Sequence, residues 1–246
     1  MPAPIRLIVC DLDGVLTDGE ARPLDLAFFG RLAALNRAAR QDPRRPAVTL
    51  CTGRPAPYAE ALLQAIDGHV PAVFENGAGL YLPQGYRFLP HPALGDLAPI
   101  QAARQRIEAT LVRQQGASIQ PGKEYSLSIF AADPADTNQL RAWATAALNS
   151  LAETVELVYS SSCLNVVPRG IDKGQGLRFL AAQAGYRLDE MLAIGDSDVD
   201  VPFLALAGYS AAPANANEAV KQLVAYVAPR PAAAGVADIL AHYGLG

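Results

Sequence analysis

Short apolar runs that stop abruptly at polar, glycine-containing segments punctuate the chain. Residues 5–10 run into Asp11-Leu12-Asp13-Gly14, residues 47–51 into Thr52-Gly53-Arg54-Pro55, and residues 72–74 into Glu75-Asn76-Gly77. Runs this short that are apolar at every position predict strands buried on both faces. Between the first two, Leu24, Phe28, Leu32 and Leu35 recur at helical spacing. This predicts a helix over 24–40, ended by Gln41-Asp42-Pro43. A second helix is predicted over 57–66, so the rhythm is that of a parallel α/β sheet.

The rhythm breaks near Pro83, where Pro83, Gly85, Pro90, Pro92, Gly95 and Pro99 crowd together as at a domain junction. Beyond it the pattern predicts a helix over 97–114, a strand over 126–130, a helix over 135–151 and strands over 155–159 and 164–167. Strands that follow one another directly predict an antiparallel sheet in a small α+β unit. From Gly170 the first pattern resumes, with helices over 174–184, 201–206, 218–224 and 236–242 and strands over 191–194 and 209–212. The expected fold is therefore α/β: a doubly wound, Rossmann-like parallel core made of residues 1–82 and 169–246, interrupted by an inserted α+β domain over 83–168.

Composition narrows the function classes. Hydrophobic residues make up 51% and charged residues 18% of 246 positions, which is globular and excludes disordered or fibrous chains. No apolar run approaches the roughly 18 residues needed to cross a bilayer, so the reading is a soluble, cytoplasmic protein without a membrane partner. The net charge is −4, and the insert carries six Lys and Arg against seven Asp and Glu, which leaves no basic face for nucleic acid. Cys10, Cys51 and Cys163 are odd in number and far apart; neither a disulfide framework nor a zinc spacing is available. Such usage fits a reducing compartment.

Chemistry concentrates in four segments, each where a strand hands over to a loop or a helix begins, which is where doubly wound sheets bind ligands. Asp11-Leu12-Asp13-Gly14 ends a buried strand in two carboxylates, a costly arrangement unless both meet solvent, cation or substrate. Thr52-Gly53-Arg54 offers a hydroxyl, an unobstructed N–H and a guanidinium, a natural anion seat. Lys173-Gly174 opens a helix, and Gly195-Asp196-Ser197-Asp198-Val199-Asp200 follows another apolar run. Were Asp11, Asp13, Asp196 and Asp200 to converge, each pair about 4 Å apart would repel by roughly 4 kcal/mol at an effective dielectric near 20. Such a cluster calls for a divalent cation, and oxygen-only ligands favour Mg²⁺ bridging to a phosphate. Thr52 and Lys173 would then serve the remaining phosphate oxygens.

In this order, and with a folded insert before the lysine, the four segments resemble those of the haloacid dehalogenase-like superfamily, most closely its Cof-like phosphatases with a C2-type cap. The resemblance spans the whole chain. It implies that Asp11 is the nucleophile that takes the phosphoryl group as an aspartyl-phosphate, and that Asp13 is the acid for the leaving oxygen and then the base for water. It also implies that Mg²⁺ is held by the Asp11 side chain, the Asp13 backbone carbonyl and Asp196, with Asp200 as an auxiliary ligand. Thr52, Gly53, Arg54 and Lys173 are the implied phosphate-binding residues. Lys173 is one of three lysines against 17 arginines, so lysine at this place is not an incidental choice of cation. The chain departs from many relatives at Val199, where they carry Asn.

The remaining polar positions receive structural readings. Asp198 is expected to cap a helix, Asp18 to sit in a loop, Cys10 and Cys51 to be small buried strand residues, and Tyr125-Ser126-Leu127-Ser128 to cover the cap sheet. Arg54, Asn76 and Arg169 reach either the substrate or a structural partner. The implied activity is hydrolysis of a small phosphorylated metabolite, as in archaeal-type phosphoglycolate phosphatases or sucrose-phosphatase-like enzymes. A sugar phosphomutase of the same superfamily and a phosphoryl-accepting, receiver-like signalling protein are the alternatives.

Overall fold

The computed structural model describes residues 3–19, 21–133, 136–160 and 163–245. Its core sheet runs β12-β11-β10-β1-β2 and is parallel throughout. These strands are β1 (Leu7–Cys10), β2 (Ala47–Leu50), β10 (Met191–Ile194), β11 (Tyr209–Ala212) and β12 (Tyr226–Val227). Alternation along β1 explains the unbroken apolar runs. Ile8 and Cys10 face a layer formed by α1 (Leu26–Gln41), α2 (Ala56–Ala65) and α9 (Ala232–His242), while Leu7 and Val9 face α6 (Lys173–Ala184), α7 (Val201–Leu204) and α8 (Glu218–Leu223). A strand covered on both sides has no polar face to present. Side-chain caps set the starts of α1 and α6: Asp25 accepts from Phe28 N at 3.0 Å, and Asp172 accepts from Gln175 N at 2.8 Å, which places Lys173 on the first turn of α6.

β3 (Ala72–Phe74) continues the parallel run through a bridge between Cys51 and Val73. It then pairs antiparallel with β4 (Gly79–Leu82), and β4 pairs with β5 (Arg87–Pro90). The proline- and glycine-rich stretch after Pro83 is thus partly a hairpin, turned through Gly85 and Tyr86 at positive φ. Tight turns and linkers share residue types, which is why composition read the segment as a junction. β5, the two-residue β6 (Ser118–Ile119) and β12 carry too little apolar pattern to be predicted, and β4, though buried throughout, is also absent from the expected strands.

The inserted unit is α+β with an antiparallel sheet, as expected. Its antiparallel sheet runs β6-β7-β9-β8, with β7 (Leu127–Phe130), β8 (Val155–Tyr159) and β9 (Leu164–Pro168). α3 (Ala98–Ile107), extended through a π turn over Glu108–Val112 into α4 (Arg113–Gln115), and α5 (Thr137–Leu148) cover one face. Leu127, Ile129, Leu164 and Val166 pack under these helices with Ile100, Ala103 and Leu140. The other face of the sheet turns toward the core. Ala135, the predicted start of the helix over 135–151, lies outside the described residues. No helix among the described residues is long and apolar enough to cross a membrane.

Candidate active site

The carboxyl ends of β1 and β10 bring Asp11 and the 196–200 segment together. Asp11 N donates to Ile194 O at 2.9 Å, which ties the first motif to the fourth. One carboxylate oxygen from each of Asp11, Asp196 and Asp200 lies within 4.8 Å of the others, and all three residues are buried. Lys173, from the start of α6, is 1% exposed and reaches Asp11 Oδ1 at 2.7 Å and Asp200 Oδ1 at 2.5 Å. Burial works against its ammonium, but Asp11 and Asp200 outweigh burial and hold Lys173 above the ordinary lysine range. Burial, followed by Lys173 pulling the other way and by repulsion from Asp200 and Asp196, leaves Asp11 well above the usual carboxylate range.

The three carboxylates are not equivalent. Asp200 is saturated: Lys173 holds Oδ1, while Asp196 N, Ser197 N and Ser197 Oγ donate to Oδ2 at 2.9, 3.0 and 3.1 Å. Asp196 is not, since its buried Oδ1 has no hydrogen-bond partner among the described residues. Asn215 Nδ2 stands 3.5 Å from Asp196 Oδ2 and donates to Gly14 O at 2.9 Å. Burial first, then Asp200, pushes Asp196 up to about 7. An unpaired buried carboxylate oxygen beside two further carboxylates is the donor set a hard dication satisfies, so these residues fit a divalent metal. Gly14 is required there by geometry. It adopts φ +83°, and a Cβ at this position would come 2.2 Å from Asp196 Oδ2.

The sign of the pH dependence follows from Asp196. Its carboxyl is raised from 3.8 to about 7 in the metal-free fold, so the folded state holds a proton that the unfolded state releases between those values. The metal-free fold therefore loses stability as pH rises across that window, and a cation must displace a proton below it. The rise in melting temperature on adding Mg²⁺ is expected to be larger at pH 8 than at pH 6. The half-saturating Mg²⁺ concentration is expected to climb by at least about tenfold per pH unit below 7, since Asp11 is raised as well. A thermal-shift titration showing no pH dependence would contradict this account.

Asp13 lines the same cavity but is not one of the three clustered carboxylates. Its carboxylate is held by Arg54 in a two-pronged pair, Nε to Oδ2 and Nη2 to Oδ1, both at 2.7 Å, and the guanidinium lies over Tyr58 at 4.8 Å from the ring centroid. Thr52 is buried, and its Oγ1 accepts from Arg54 N at 3.1 Å. Gly53 and Asn76 line the cavity, as does Val199. Arg169 lies elsewhere, exposed, pairing with Glu156 at 4.0 Å. Asp198 does not cap a helix: it opens a short turn and accepts from Asn217 Nδ2 at 2.7 Å, while Asn217 caps α8. Cys10 and Cys51 are buried strand-end residues as read.

The cap closes over this group. Glu75, 1% exposed at the end of β3, accepts from Glu124 N, Tyr125 N and Ser126 Oγ, each at 2.9 Å, so one core carboxylate anchors a whole cap loop. Ser128 is not sheet cover. The strand period that buries Leu127 and Ile129 turns Ser128 to the cavity, where it meets Gln120, Ser160 and Asn165 opposite Asp11. The cavity measures about 50 Å³. One water needs roughly 10–15 Å³ on this measure, so the space beside Asp11 is a few waters in size. Glu75, Asn165 and Asn215 went unread because nothing near them in the chain marks them; Glu75-Asn76-Gly77 reads as an ordinary strand-ending turn.

Comparison with known proteins agrees with this geometry. Residues 102–240, more than half of the chain, match the family model for haloacid dehalogenase-like hydrolases. The phosphoglycolate phosphatase of Aeropyrum pernix is 31% identical over 240 residues, 96% of this chain and 92% of that one. That of Halorubrum lacusprofundi is also 31% identical, over 98% and 97%. Among solved structures, protein 0175 of Thermoplasma acidophilum superposes with a TM-score of 0.76 at 22% identity, covering 99% of this chain and 100% of that one. The chain belongs to the haloacid dehalogenase-like hydrolases, and its buried aspartates and capped parallel core make it a hydrolase of the phosphatase type.

Proposed function

We propose that this protein is a Mg²⁺-dependent phosphatase for a small phosphorylated metabolite of the phosphoglycolate kind, working through an aspartyl-phosphate on Asp11. The observation that carries the reading is the buried Asp11 held at 2.7 Å by Lys173 beside Asp196 and Asp200, in a small cavity that cap residues also line. Asp11 attacks phosphorus. Asp13, once released from Arg54, protonates the departing oxygen and then takes the proton of the hydrolytic water. Lys173, the Gly53 N–H and Thr52 hold the phosphoryl oxygens, and Arg54 serves the substrate side of the cavity. Mg²⁺ would be held by Asp11, Asp196 and the Asp13 backbone carbonyl, with Asp200 setting the loop behind them, and would supply neutralising charge.

The cap is taken to leave the core after His91, whose N–H donates to Ala78 O at 2.8 Å, and to rejoin it near Pro168; residues before and after form the two parts of the core. Opening there admits substrate, and closure excludes water. Three free, buried cysteines support a cytoplasmic setting. A phosphate-release screen over phosphoglycolate, sugar phosphates, nucleotides and a phosphopeptide tests the reading. Turnover is expected only with Mg²⁺ and only for the small compounds. Equal turnover of the phosphopeptide, or none of any compound, contradicts it.

A further inference from the structure

Across the cavity from Asp11, Ser128 and Asn165 face each other in register on β7 and β9. Behind them stands Lys123, 5% exposed, with no carboxylate among the described residues within the 4.0 Å of an ion pair. Its place is fixed from both sides: Arg104 donates to its carbonyl at 3.0 Å, and the next residues are the loop anchored on Glu75. Its ammonium donates to Ser128 Oγ.

Hydrogen-bond directions follow from that contact. An ammonium has protons and no lone pair, so Ser128 accepts from Lys123, and its own proton goes to Asn165 Oδ1 at 2.6 Å. Asn165 is thereby left to offer its Nδ2 protons to the cavity. Burial pulls Lys123 down to about 8, with Cys163 and Glu75 opposing and Arg54 and Lys173 reinforcing, so the chain keeps this polarity at neutral pH. Glu75 does not neutralise the ammonium at contact, because its oxygens are engaged by the 124–126 loop. A buried cation without a counter-ion is costly, and an anionic leaving group brings the missing charge.

We propose that Lys123, acting through Ser128, orients Asn165 as the donor that recognises a carboxylate on the leaving group, so that the site selects small phosphorylated hydroxy acids over phosphates of neutral alcohols. Lys123 and Ser128 are positioning residues; Asn165 touches the ligand. The inference rests on the phosphatase reading for the identity of the leaving group, but it is tested by binding.

Calorimetry with the Asp11→Asn protein in Mg²⁺ compares phosphoglycolate with 2-hydroxyethyl phosphate, of the same length but with a neutral hydroxymethyl group in place of the carboxylate. Phosphoglycolate is expected to bind about tenfold or more tightly, as a charge-assisted hydrogen bond implies. Adding Asn165→Leu or Lys123→Met is expected to reduce that preference to about threefold or less while 2-hydroxyethyl phosphate binding stays within about threefold. The isosteric Asn165→Asp is expected to reverse the preference. No preference in the Asp11→Asn protein, or equal loss for both ligands in the variants, overturns the proposal. Turnover assays on the unmodified protein separate the two readings. Preference without turnover of either compound keeps this inference and removes the phosphatase assignment, whereas turnover of both without preference does the reverse.

Discussion

Replacing Asp11 by Asn is expected to abolish phosphate release, by at least about 10⁴-fold in kcat, while leaving the fold intact. The amide keeps the size of the side chain and removes one of the crowded negative charges that burial and the two neighbouring aspartates already push toward protonation. The Lys173 contact at 2.7 Å then becomes a neutral one, with Asp200 still paired at 2.5 Å. The unfolding midpoint should therefore stay close to that of the parent, or rise. The measurement is single-turnover phosphate release beside a denaturant titration. Residual activity above about 1% of the parent would remove Asp11 from the nucleophile's place.

Lys173→Met is expected to do the opposite to stability. Lys173 is 1% exposed and bridges Asp11 and Asp200. Methionine fills a similar volume but leaves two carboxylates facing each other without a cation, and breaking such a buried pair costs about 3–5 kcal/mol. Denaturant unfolding of the metal-free protein should show a loss of that order, and phosphate release should vanish with it. Adding Asp200→Asn to Lys173→Met removes half of the stranded charge and should restore part of the stability but none of the activity. If Lys173→Met melts like the parent, the lysine is not the counter-charge of the cluster.

The contrast between these variants marks which roles could be read along the chain. Asp11, Lys173 and Asp196 stand out because each breaks a local rule: a carboxylate ends an all-apolar strand, and the scarce lysine opens a helix. Violations of that kind are visible one residue at a time. Glu75, Lys123 and Asn165 break no rule. A glutamate before Asn-Gly, a lysine after Pro-Gly and an asparagine between apolar strand residues are ordinary in sequence, and they acquire roles only when the cap lies over the core. The same holds for Ser128, whose alternation with Leu127 said that it lies on one face of a strand but not what that face would meet. Asp198 is the reverse case, a residue whose type suggested a helix cap but whose carboxylate instead accepts from Asn217, nineteen positions on, the residue that caps α8.

Local chemistry therefore determined the parallel core, the inserted antiparallel unit and the four motifs at strand ends and a helix start, because burial on two faces, on one face, or on none leaves a period in the chain that neighbours a few residues apart reveal. What tertiary structure alone decided is the division of labour among the carboxylates and the chemistry of the roof. Asp200 is saturated and Asp196 left with a bare oxygen because of how one loop turns. The donors facing Asp11 come from strands that meet only when the insert folds, since hydrogen-bond direction and shared burial are properties of distant residues brought together rather than of any segment.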